Sequence, residues 1–194
     1  MRQAAVFLIA LFAFSLALQS TAVAAPKAKW VPFGTAAWVA NAGNPGYGLV
    51  TTSQGTTYGG IGLSRPPTDP ASITALSFDF NPNQPGASGG SPRMVVQFSD
   101  GGEGQLRPLN WTANSWTTVE GITGNNWDHA GPPGTCGALY AQTWAAILAC
   151  HVGQTITAIF VVNDSGWLYP SGEQVTLDNV TVNDAVARGP GKKN

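Results

Sequence analysis

Apolar and polar positions alternate in short runs along this chain, and turn residues separate the runs. Leu76, Phe78 and Phe80 fall two apart within residues 73–80, as do Met94, Val96 and Phe98 within residues 93–99. A period of two places successive side chains on opposite faces of a strand, so each run predicts a strand with one buried face. Residues 155–163 carry apolar side chains on both sets, Ile156, Ala158, Phe160 and Val162 on one and Ile159 and Val161 on the other. That is the pattern of a strand in the middle of a packed sheet. Shorter runs predict strands over 35–40, 47–52, 104–109 and 116–120, with Asp100-Gly101-Gly102 as a hairpin turn.

Two segments depart from this rhythm. Residues 139–150 are rich in Ala and Leu, and Tyr140, Trp144, Ile147 and Leu148 recur at helical spacing, which predicts a short capping helix. In residues 173–183 the parity changes halfway, because Val175 and Leu177 fall on one set and Val180 and Val182 on the other. A β-bulge at Asp178-Asn179 would return both pairs to the core side. Gly 24 and Pro 14 put turn signals about every ten residues, a spacing that suits a sandwich or barrel.

The N-terminus adds a processing expectation. Arg2, the apolar run 4–18 and the small residues Ala22-Val23-Ala24-Ala25 fit a secretory signal cleaved after Ala24. The run is shorter than the roughly 20 residues a bilayer span needs. The expected organisation is a signal peptide over 1–24, one domain over 25–186 and a disordered tail over 187–194, with no membrane insertion after cleavage. Between Trp30 and Asp184 the only basic side chains are Arg65, Arg93 and Arg107, against all ten acidic residues. Nucleic acid needs phosphate-neutralising Lys/Arg clusters, so it is excluded as a partner.

Cys136 and Cys150 are expected to form a disulfide in a secreted or extracytoplasmic compartment. Closing a loop of about 15 residues stabilises by roughly 3 kcal/mol in the chain-entropy picture. The competing reading is a pair of metal-ligating thiolates completed by His151 and His129, at a spacing that matches no zinc motif.

The ending Val175-Thr176-Leu177-Asp178-Asn179-Val180-Thr181-Val182 resembles the last strand of galactose-binding-like jelly rolls and of carbohydrate-binding modules, and residues 73–80 (ITALSFDF) resemble their core strand. The resemblance implies an all-β, antiparallel jelly-roll β-sandwich. It also implies that Asp178 helps ligate a structural calcium or holds the first strand. The motifs cover about a fifth of the mature chain, and this fold hosts binding, adhesive and catalytic domains alike.

Candidate chemistry comes from aromatic residues in polar loops. Sugars stack their C–H faces on flat rings while flanking amides and carboxylates bond the hydroxyls. Trp111, Trp127, Trp167 and Tyr169 lie in Asn/Gly/Ser/Pro-rich stretches, and Asn126, Asp128 and His129 add polar groups beside Trp127. Burial beneath a loop is the competing account of each ring. A Gly-x-Ser-x-Gly run at 86–90 lacks the strand-turn-helix context of a nucleophile elbow. A hydrolase would need paired carboxyls across a cleft, and Glu103, Glu120 and Glu173 are the only glutamates.

These readings lead to a secreted, non-catalytic domain that binds a polysaccharide or cell-surface glycan without an organic cofactor. A structural or adhesive protein with protein partners is the alternative. A glycan-active hydrolase or lyase stands third.

Overall fold

The alternating runs pair into two antiparallel sheets that enclose one core. The computed structural model describes residues 27–84, 91–132, 136–164, 169 and 172–190. The expected signal segment, the Gly-x-Ser-x-Gly run and Trp167 lie outside these residues.

One sheet has seven strands, in the spatial order β1 (Trp30–Gly34), β4 (Gly59–Leu63), β11 (Ile156–Asn163), β6 (Arg93–Phe98), β7 (Glu103–Leu106), β9 (Trp127–Ala130) and β10 (Leu139–Gln142). The other runs β2 (Ala37–Gly43), β3 (Gly46–Ser53), β12 (Glu173–Val182), β5 (Leu76–Pro82) and β8 (Thr117–Glu120), with β13 (Ala185–Val186) on β12. Every pairing is antiparallel. The chain passes repeatedly from one sheet to the other, giving the all-β jelly-roll sandwich expected from the sequence.

Between the sheets, Phe78, Phe80 and Leu76 of β5 meet Met94, Val96 and Phe98 of β6, all at most 2% exposed. Each fully buried side chain of this size contributes about 1.5–3 kcal/mol. The register of β12 against β5 shifts between Asp178 and Thr181, and Asn179 has φ +47°. Val175, Leu177, Val180 and Val182 all reach the core as a result. This is the predicted bulge.

Three local expectations change. Residues 139–150 divide into β10 and a helix, α1 (Trp144–Cys150), because Thr143 caps the helix by accepting the Ala146 N–H at 3.2 Å. Tyr140 therefore leaves the helix and stands 68% exposed on β10. Residues 127–130, in a stretch that reads as a loop, are strand β9, and residues 59–63, for which no element is predicted, are strand β4. The start of the tail is also packed: Ala187 is 3% exposed, and Gly189 lies so close to Tyr47 that a Cβ there would sit 2.2 Å from the Tyr47 Cβ.

The disulfide is formed, Cys136 to Cys150, with Cα atoms 5.4 Å apart. It ties the end of α1 to the segment before β10, and it suits an extracytoplasmic location. Among the described residues no helix is long and apolar enough to cross a membrane.

Candidate functional site

β9 decides where most of the sequence-predicted residues go. Its four residues alternate in and out, so Trp127 and His129 face the core while Asp128 faces solvent. Trp127 is 0% exposed and donates its indole N–H to the Gly121 carbonyl at 2.6 Å. It packs on Trp144 with ring centroids 4.8 Å apart. A ring so enclosed has no face to offer a sugar, and its place as a binding platform is corrected to one in the core. His129, 1% exposed, is corrected in the same way.

Two of the other predicted rings fall within the described residues. Trp111 is half-buried and meets Phe80 edge-on at 5.8 Å, against the core. Tyr169 is half-buried, and its carbonyl accepts the Gly172 N–H at 2.7 Å.

Asp128 and Asn126 remain at the surface. Asp128 pairs with the Arg107 guanidinium, and its second oxygen accepts the Ala141 N–H at 3.1 Å. The paired side chains are 22% (Arg107) and 13% (Asp128) exposed, enough to be approached from solvent. Beside this pair on the same outer face, Glu103 accepts from the Gln105 amide, and Tyr140 follows on the neighbouring strand.

The chain after Arg107 and the chain before Trp127 run on together, joined by the Arg107 N–H donating to the Asn126 carbonyl at 3.1 Å. They form one wall of an open groove of about 400 Å³. Leu109, Asn110, Thr118, Glu120, Asn125 and Asn126 contribute to its lining. The Asn126 side-chain oxygen is buried without a hydrogen-bond partner, and Leu109 is 51% exposed. β8, which contributes four residues to the groove, pairs among the described residues with β5 alone.

Arg107, Tyr140 and Asn110 were not picked out as binding residues from the sequence, and Glu120 entered only as a carboxyl for the hydrolase reading. The rarity of basic residues in the body was a usable signal for Arg107. Tyr140 was hidden by its helical spacing to Trp144.

Asp178 holds the chain. Its two oxygens accept the backbone N–H groups of Asn44 at 2.7 Å and Asn179 at 2.8 Å, which fixes the β2–β3 turn to β12. Among the described residues no three His, Cys, Asp or Glu side chains gather as metal ligands. Holding the turn is the part of its implied role that this geometry supports.

Fold and site together define an antiparallel β-sandwich with a polar groove at one sheet edge. A solved structure with a similar arrangement is the family 11 carbohydrate-binding module of the cellulosomal cellulase Lic26A-Cel5E of Clostridium thermocellum. The TM-score is 0.46 at 18% identity, covering 84% of this chain and 91% of that one, a likeness of fold alone. No family model matches the sequence, and no curated protein matches it.

Proposed function

We propose that this is an exported, non-catalytic glycan-binding domain, and that the groove beside the Arg107–Asp128 pair is its binding site. The observation that carries the reading is the lining: three asparagines, two threonines and one carboxylate around an exposed Leu109. Amides and hydroxyls both donate and accept, which suits the mixed hydrogen bonding of sugar hydroxyls. Asn126 lines the groove as well, its side-chain oxygen packed beneath Gly124. Tyr140, exposed on the far side of Asp128, offers a ring on which a sugar could stack.

The three glutamates of a hydrolase reading are dispersed. Glu103 lies on the outer face of the seven-stranded sheet, Glu120 on the edge strand of the other, and Glu173 is 2% exposed at the start of β12.

The test is a glycan array with insoluble-polysaccharide pull-down on the oxidised protein. Saturable binding that weakens about tenfold in Asn110→Ala and in Asn126→Ala, and is unchanged in Val39→Ala on β2, the edge of the six-stranded sheet farthest from β8, supports the reading. No saturable binding to any glycan defeats it in favour of a structural role.

A further inference from the structure

Three side chains that the surface site does not use lie in line at the disulfide-closed corner. His151 Nδ1 stands 2.8 Å from Asp100 Oδ2, and His151 Nε2 stands 3.0 Å from His129 Nε2. At the other end, His129 Nδ1 bonds the carbonyl oxygen of Gly137. The three are separated in sequence by 51 and 22 residues, so the fold alone assembles them.

Counting donors and acceptors along this line decides its protonation state. Asp100 is ionised: burial opposes its charge, but bonds from His151 and from the Gly102 N–H, with the charge of His151, hold its carboxyl below the ordinary carboxylate range. A carboxylate and a carbonyl only accept, so each Nδ1 carries its own proton. Were both rings neutral, two bare lone pairs would then face each other at 3.0 Å. The contact is a hydrogen bond only if one Nε2 is also protonated, which puts three protons on four ring nitrogens.

The surroundings suit a cationic ring. Phe98 lies face to face with His151, centroids 3.9 Å apart and planes 12° from parallel, and an aromatic face attracts positive charge. The His151 side chain is 0% exposed. Of the charged groups on neighbouring elements, only Asp100 faces the pair among the described residues. Glu103 on β7 and Asp128 on β9 turn to the outer face, bonded to Gln105 and Arg107. Asp69 caps its own turn through the Ala71 N–H, and α1, β10 and β11 carry no charged residue.

We propose that Asp100, His151 and His129 form a buried proton latch. One proton shared between the two Nε2 atoms joins the end of α1 to β9. Gly137 and the Cys136–Cys150 disulfide complete the closure, because Gly137 follows Cys136 and His151 follows Cys150. The latch is closed while the proton is held and loosens as rising pH withdraws it. A metal ion between the same two nitrogens would need further ligands, and among the described residues no third His, Cys, Asp or Glu joins them.

The experiment is imidazole ¹⁵N NMR on the full oxidised chain, with elemental analysis, followed by amide exchange across α1 as pH is raised. The expected spectrum at neutral pH has three protonated ring nitrogens and a proton that correlates with both Nε2 atoms. Above the pH at which that proton leaves, exchange protection across α1 falls about tenfold beyond its intrinsic pH dependence, as losing a charge-assisted hydrogen bond predicts. His129→Gln, whose amide donates at any pH, lacks this fall. Two neutral rings, a stoichiometric metal, or protection that does not change with pH would each overturn the latch. The spectrum and exchange of the unsubstituted chain decide the matter even if the variant fails to fold.

Discussion

The two sides of β9 take adjacent residues of one polar-looking run to opposite fates. Outward, Asp128 meets Arg107 at the head of an open groove that Asn126 helps to line. Inward, Trp127 and His129 are closed off among Trp144, Ile147 and His151. The outer side carries solvent-reachable amides, hydroxyls and a carboxylate. The inner side has each indole and imidazole nitrogen of Trp127 and His129 bonded to a defined partner. The proposed recognition belongs to the first condition and stability to the second, because a ligand displaces water only from groups it can reach.

This division is open to direct attack, beginning with the largest effect. Trp127→Ala should cost about 3–5 kcal/mol in denaturant unfolding while the folded fraction binds glycan as before. Loss of binding with stability intact would place Trp127 on the surface and dissolve the contrast. Replacing both Cys136 and Cys150 by Ser should cost about 3 kcal/mol, read the same way, and should loosen the inner corner without altering groove affinity.

Gly102 probes the inner side more finely. A Cβ at this position would lie 2.4 Å from His151 Cε1, on a ring that Asp100, Phe98 and His129 hold in place. Gly102→Ala should therefore cost about 1–3 kcal/mol by overpacking, again with unchanged binding. On the outer side the ranking inverts. Glu120→Gln should change stability by less than about 0.5 kcal/mol, since the residue is exposed, yet weaken glycan binding measurably in calorimetry.

The smallest expected effect is acidic. The folded-state pKa of Asp100 lies below its unfolded value, so its contribution is present above the unfolded pKa and is lost as pH falls through the folded one. Thermal unfolding between about pH 5 and pH 2 should show a decline that is shallower in Asp100→Asn. An identical decline in both would remove Asp100 from the corner's electrostatics.

Much of the sandwich was legible along the chain. Strands β5, β6, β11 and β12 announce themselves by alternation, and the bulge follows from a single parity change, because the pleat ties side-chain direction to sequence parity. β4 was missed since its Gly-Gly-Ile-Gly-Leu sequence carries almost no side-chain signal; its glycines are demanded by contact. A Cβ at Gly60 would stand 2.0 Å from the Val161 carbonyl oxygen and 2.7 Å from the Phe33 ring. β9 was missed because four residues are too few to distinguish a strand from a loop rich in polar groups.

Sequence by itself determined the fold class, the cysteine pair, the shortage of positive charge and the parity of the long strands, all properties carried by neighbouring residues or by composition. Tertiary structure alone decided that Trp127 and His129 turn inward, that Arg107 finds Asp128, and that Asp100, His151 and His129 line up across three segments. Local pattern states which side of a strand is apolar. Which distant side chain stands opposite depends on how the sheets are threaded, and no short stretch of chain records that.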